Sequence, residues 1–185
     1  ESSPALAKAL IEGIISTGCH VTDIGISMTP VIHFLTTTQN FDMGVVVTAS
    51  HNPREFNGFR IDYKFAEQFY GDLVLMLRFM IEREEYVVGE GSVEEKEMNS
   101  YYIDYLSDKF NIDSNLKVVI DCGSEATSEI APKIFENIGC EVIKVNCKYD
   151  PTFPRGVPDP ESSVLMNELS EHVLKNKADV GFAYD

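Results

Sequence analysis

The chain has 185 residues, 44% hydrophobic and 24% charged, enough to bury a sizeable core as one large domain or two small ones. Fifteen basic against 30 acidic side chains leave a net charge of −15, which repels nucleic-acid phosphates and anionic membranes and argues against polyanion binding. No apolar run approaches the length of a membrane span and the first residues do not resemble a signal peptide, so neither nucleic acid nor membrane is an expected partner.

Taken in order, Glu1-Ser2-Ser3-Pro4 reads as a helix start. Ala5, Leu6, Leu10, Ile14 and Ile15 then recur at helical spacing over Pro4 to Thr17, and Gly18 ends the helix. His20 to Ile24 is a short strand, and a turn from Gly25 leads to Thr29 as a helix cap with Pro30 at the first helical position. The β-branched run Met43 to Thr48 predicts a buried strand, ending in Ala49-Ser50-His51-Asn52-Pro53. Pro53 and Asn57-Gly58 mark turns, and Phe59 to Tyr63 is the next strand. Tyr70 to Ile81 has helical spacing. The acidic stretch after it contains Gly89 and Gly91, and 86–95 is expected to connect two domains.

In the second half, helix Ser100 to Phe110 precedes strand Lys117 to Asp121. Helix Ser124 to Ile138, strand Glu141 to Asn146, a Pro-rich irregular stretch, helix Leu165 to Lys175 and strand Val180 to Tyr184 follow. This alternation predicts an α/β protein: two consecutive three-layer α/β/α domains with mixed, largely parallel sheets, over 1–91 and 92–185. The four cysteines (Cys19, Cys122, Cys140, Cys147) lack metal-binding spacing. Free thiols in a reducing cytoplasm are the expected state, although spacing alone leaves a disulfide open.

Ser50 stands on a loop at the carboxyl end of a strand, where open α/β sheets bind ligands. A serine hydrolase is poorly supported, because Gly-x-Ser-x-Gly is absent and an adjacent histidine does not usually serve as the base. Phosphoryl transfer suits the residues better. A phosphoserine carries about −1.5 to −2 charges, and His51, Arg54 and Arg60 lie within ten residues of Ser50 in an otherwise acidic chain.

Thr48-Ala49-Ser50-His51-Asn52-Pro53, with Asn57-Gly58-Phe59 after it, resembles the phosphoserine loop of the α-D-phosphohexomutases (phosphomannomutase/phosphoglucomutase). Further similarities follow in order along nearly the whole chain. They are Glu1-Ser2-Ser3, Asp23-Ile24-Gly25 with Thr29-Pro30, Val118 to Gly123, Asp150-x-x-Phe153-Pro154 with Pro158-x-Pro160-Glu161, and Ala178 to Asp185.

The resemblance implies reversible transfer of phosphate between the 1- and 6-positions of a hexose. The partners it implies are a hexose 1-phosphate or 6-phosphate and a hexose 1,6-bisphosphate. Ser50 would carry the phosphate, His51 would be a catalytic neighbour, and Asn52 and Arg60 would contact phosphate. Ser50 and Asp185 would bind Mg²⁺, with Asp185 the first of three metal-loop aspartates. The resemblance further implies that the family's third and fourth domains lie outside these residues, so this chain alone is expected to be inactive.

Two departures stand out. Arg60 replaces a usual lysine, and a guanidinium does not exchange protons as a lysine can. Gly123-Ser124-Glu125-Ala126-Thr127 replaces a glycine-rich turn, removing tolerance for positive φ and adding a negative charge. Both departures also fit an alternative, a non-catalytic phosphosugar-binding or regulatory protein on a divergent mutase scaffold.

Overall fold

A computed structural model describes residues 2–50, 52–53, 55–112 and 115–185. The chain divides into two compact units. One holds Glu1–Gly25, Thr29–Ala49 and Asn57–Met98; the other holds Ile26–Met28, Ser50–Phe56 and Asn99–Asp185.

In the first unit, α1 (Ser3–Ile15) half-buries Leu6, Ala7, Leu10, Ile11, Ile14 and Ile15, the single stripe that a 3.6-residue period produces. Helix α2 (Thr29–Thr38) buries Val31, Leu35 and Thr36 and packs on strand β2 (Met43–Val47). Gly44 permits that contact: a Cβ there would lie 2.4 Å from Ile32 Cγ2 and 2.8 Å from Thr36 Cγ2. Strand β2 pairs antiparallel with β3 (Phe59–Tyr63), Val46 opposite Arg60, and β3 continues to the two-residue β4 (Glu67–Gln68). Helix α3 (Asp72–Glu82) forms where its spacing predicts, yet Val74, Leu75, Met76, Phe79, Met80 and Ile81 all remain exposed.

The stretch expected to be a connector contains a strand. β5 (Ser92–Glu95) lies parallel to β1 (His20–Asp23), with Gly89 N and Gly91 N donating to Ser16 O and Ile15 O at 2.8 Å. Ser-Val-Glu-Glu is short, acidic and exposed at every residue. Charge of this kind protects a sheet edge, and it also hides the strand from a reading based on hydrophobic alternation.

The second unit is built on a parallel sheet ordered β7-β6-β8: Glu141–Val145, Lys117–Asp121 and Val180–Ala183. The central strand β6 is buried from Val118 to Asp121. The chain steps from β6 to β7 on one side, then crosses β6 to reach β8 on the other. Right-handed crossovers therefore place α5 (Ala131–Asn137) and α6 (Ser163–Asn176) on opposite faces, and α4 (Asn99–Lys109) packs against α5. Val118, Ile120, Cys122, Ala131, Ile138 and Cys140 form the core.

The expected helix over 124–138 is divided. A 3-10 turn covers Ala126–Glu129 and α5 begins only at Ala131, because Pro132 is accommodated in a first turn and not in a helix interior.

Candidate functional site

The loop between β2 and β3 is closed at its neck, where Thr48 N donates to Gly58 O at 2.9 Å. Asn57 Nδ2 reaches the Ser2 and Ser3 hydroxyls at 2.9 Å each, and Asn57 Oδ1 accepts from Gly58 N at 2.9 Å. One amide thus ties the neck to the start of α1. Within the loop, Phe56 N donates to Pro53 O at 2.9 Å, and Ser50 is exposed with φ of 52°. A non-glycine residue held in the left-handed region stores roughly 1–2 kcal/mol, and such strain concentrates at functional sites. Asn52 is exposed on the same loop; His51 and Arg54 lie outside the described residues.

Arg60 is engaged. Its Nε and Nη2 donate to Asp62 Oδ2 and Oδ1 at 3.2 and 3.3 Å, a two-pronged pair between residues on one face of β3. The Asp62 side chain is wholly buried, whereas that of Arg60 is 36% exposed. From α2, His33 Nε2 also lies 3.2 Å from Asp62 Oδ2, without the alignment of a hydrogen bond. Burial makes Asp62 dependent on this company, since an uncompensated buried carboxylate is strongly destabilising. The Arg-x-Asp spacing on a strand could have exposed the pairing in advance. His33 gave no such signal, because only the packing of α2 brings it there.

In the second unit, Asp121 ends β6 as a buried carboxylate with several partners. Its Oδ1 accepts from Gly123 N at 3.0 Å and Asn146 Nδ2 at 2.9 Å; its Oδ2 faces Arg155 Nη1 at 3.4 Å. Arg155 also pairs with Glu168 on α6. A small cleft opens here between Asp121, Gly123, Arg155, Pro158, Leu165 and Tyr184.

The altered turn retains a left-handed bend. Gly123 and Ser124 take φ of 56° and 64°, while Glu125 is extended at φ −90° and needs no glycine. Burial raises the Glu125 carboxyl above its ordinary value; the Ala126 N–H opposes the shift and the Asp185 charge adds to it. Burial likewise pushes Tyr184 up to about 12, with smaller contributions from Cys122 and Tyr102.

Asp185 is exposed just beyond β8. Among the described residues, no group of three or more His, Cys, Asp or Glu side chains could hold a metal ion. The Ser50 hydroxyl and the Asp185 carboxylate expected to bind Mg²⁺ are hard oxygen donors, the kind that ion prefers. Ser50, Asn52 and Asp185 belong to the same compact unit, whereas Arg60 belongs to the other.

Residues 1–78 match the family model for phosphoglucomutase/phosphomannomutase alpha/beta/alpha domain I, and residues 100–185 match the model for domain II. A phosphomannomutase/phosphoglucomutase of Pseudomonas aeruginosa is 36% identical over 184 residues, covering all of this chain and 40% of that protein. A probable phosphoglucosamine mutase of Methanobrevibacter smithii is 37% identical over 186 residues, covering 97% of this chain and 41% of its own. A crystal structure of a phosphoglucomutase/phosphomannomutase family protein from Burkholderia thailandensis superposes with a TM-score of 0.92 at 29% identity. That match covers 98% of this chain and 41% of the other. The chain therefore spans about 40% of the length of the curated relatives it matches. The two α/β/α domains expected from the element pattern agree with these matches.

Proposed function

The chain belongs to the phosphoglucomutase/phosphomannomutase family, and on that premise we propose that the protein is a phosphohexomutase in which Ser50 carries the phosphate. The observation that carries this reading is the placement of Ser50, exposed on a strained left-handed turn just after β2.

In the reaction, a hydroxyl oxygen of a bound hexose 1- or 6-phosphate attacks the phosphorus on Ser50. The Ser50 Oγ–P bond breaks and a hexose 1,6-bisphosphate forms. After the sugar turns over, Ser50 Oγ attacks the other phosphorus and recovers a phosphate. Both transfers rest on positioning and charge neutralisation more than on bond-making by the protein.

His51 and Asn52 serve as neighbours of the phosphate. Arg60 contributes orientation and charge, but its permanent protonation leaves proton transfer to another group. Ser50 and Asp185 supply oxygen donors for Mg²⁺, which when bound offsets charge on the phosphoryl group. Among the described residues no helix is long and apolar enough to cross a membrane; a cytoplasmic site of action belongs to the same proposal. The commitment of Arg60 to Asp62 favours one second reading, a phosphosugar-binding protein that does not turn over.

Intact-mass measurement of the full protein with hexose 1,6-bisphosphate, before and after phosphatase, separates the two. One phosphate lost to phosphatase and absent from Ser50→Ala is expected. Phosphosugar binding without any phosphate on Ser50 would overturn the carrier role.

A further inference from the structure

All four cysteines are free thiols, and two of them meet. Cys122 directly follows β6, and Cys147 lies two residues beyond β7. These strands run parallel with Asp121 opposite Val145, and Cys122 N donates to Val145 O at 3.2 Å, so their carboxyl ends converge. The Cys122 and Cys147 sulfurs stand 3.1 Å apart. Cys122 is wholly buried whereas Cys147 is partly exposed, so a small oxidant would meet Cys147 first. Neither remaining cysteine competes by position. Cys140 precedes β7, at the far end of that strand from Cys147, and Cys19 belongs to the first unit.

We propose that Cys122 and Cys147 form a site of reversible oxidative modification, closing to an intramolecular disulfide when the protein meets a peroxide. The chemistry balances in two steps. The Cys147 sulfur attacks one peroxide oxygen, the O–O bond breaks, and Cys147 becomes a sulfenic acid with release of water. The Cys122 sulfur then attacks the Cys147 sulfur and the S–O bond breaks. The hydroxyl leaves as a second water with the Cys122 proton, and the S–S bond forms. Two thiols give up two electrons to one hydrogen peroxide, and a small-molecule dithiol returns them.

The pair is electrostatically ordered for this sequence of events. The sulfur–sulfur contact with Cys122 lowers the Cys147 thiol from its ordinary range against the opposing effect of burial, while the same contact, followed by burial, pushes Cys122 up. Both shifts run in the same direction as exposure, which makes Cys147 the first of the two to meet an oxidant. The cross-link would span a gap already bridged at 2.8 Å by Ser124 N to Asn146 O, immobilising the turn that carries Glu125.

The test uses the whole chain with Cys19→Ser, treated with equimolar hydrogen peroxide, alkylated and digested with trypsin. Cleavage after Lys117, Lys133, Lys144 and Lys148 places Cys122, Cys140 and Cys147 in separate peptides. The expected product joins residues 118–133 to 145–148 and is two hydrogens lighter than their sum. It disappears with dithiothreitol. In Cys147→Ser, a partly exposed position that tolerates a hydroxyl, Cys122 should lose alkylation about tenfold more slowly than in the parent. A linkage through Cys140 would overturn the proposal. So would Cys147 passing to sulfinic acid while Cys122 stays alkylatable. Neither result depends on mutase turnover.

Discussion

The Arg60–Asp62 pair makes a prediction about stability that can be worked through. Breaking a buried ion pair by removing one partner costs about 3–5 kcal/mol, because the charge left behind has lost its water. Here Asp62 is the fully buried member, while Arg60 is 36% exposed and His33 Nε2 remains 3.2 Å from Oδ2. Solvent screening and this second neighbour reduce the expected cost of Arg60→Ala to about 2–3 kcal/mol. Asp62→Ala should cost less, about 1–2 kcal/mol, because the freed guanidinium can turn toward water. Removing both should cost about 2 kcal/mol, well below the sum of the single effects, since neither charge is then stranded. Arg60→Lys keeps the charge but not the two-pronged geometry and should fall between wild type and Arg60→Ala. The chain has no tryptophan, so urea unfolding is best followed by far-ultraviolet circular dichroism. A cost for Arg60→Ala no greater than that for Asp62→Ala would refute the stranded-carboxylate account. So would two effects that add to within about 0.5 kcal/mol, the behaviour of independent sites.

Other outcomes follow from single positions. Ser50→Gly should alter unfolding free energy by less than about 1 kcal/mol, because relief of the left-handed strain offsets the added freedom of the unfolded chain, while abolishing phosphate incorporation by mass. Gly44→Ala should destabilise by about 1–3 kcal/mol in a denaturant titration, since its Cβ would meet Ile32 Cγ2 at 2.4 Å and Thr36 Cγ2 at 2.8 Å. The raised Glu125 carboxyl binds its proton more tightly folded than unfolded. The stability linked to it is full below the ordinary glutamate value of 4.5 and declines as pH rises through the folded value. Glu125→Gln should therefore raise the melting temperature at pH 7 relative to wild type and lose that advantage near pH 3, as calorimetry at the two pH values would reveal.

Most of the secondary structure was legible because its signals were local. The apolar stripe of α1, the Thr29-Pro30 start of α2 and the apolar run of β6 each declare themselves within a few residues. The divided helix after Gly123 and the exposed strand β5 were not. The first depends on where a proline can sit, the second on a distant parallel partner, β1. The same distinction holds at the site. Ser50 was marked by the abrupt end of a β-branched run, and its positive φ is a local consequence of the turn. The engagement of Arg60 required Asp62 to be buried, and the approach of His33 required α2 to settle on β2, neither of which a linear count of charges reveals.

That difference alters the electrostatic account of phosphate at Ser50. Counting His51, Arg54 and Arg60 gives three potentially positive groups to meet a phosphoserine bearing about −1.5 to −2 charges. Arg60 already forms two hydrogen bonds with a wholly buried carboxylate, which offsets part of the charge it can offer. The second unit, to which Ser50 belongs, also carries Asp185 and the neighbouring turn residue Glu125, whose raised carboxyl registers the Asp185 charge. The proposed phosphate on Ser50 would add negative charge to a chain whose net balance is already −15. With Arg60 committed to Asp62, part of the neutralisation of a Ser50 phosphate falls to other cations. The Mg²⁺ proposed above would supply such charge, with the Asp185 carboxylate as one of its oxygen donors. On this reasoning Asp185→Asn should weaken Mg²⁺ binding to the phosphorylated protein more than to the unphosphorylated one, read by calorimetric titration. Equal weakening in both states would show that Asp185 and the phosphate do not share the ion.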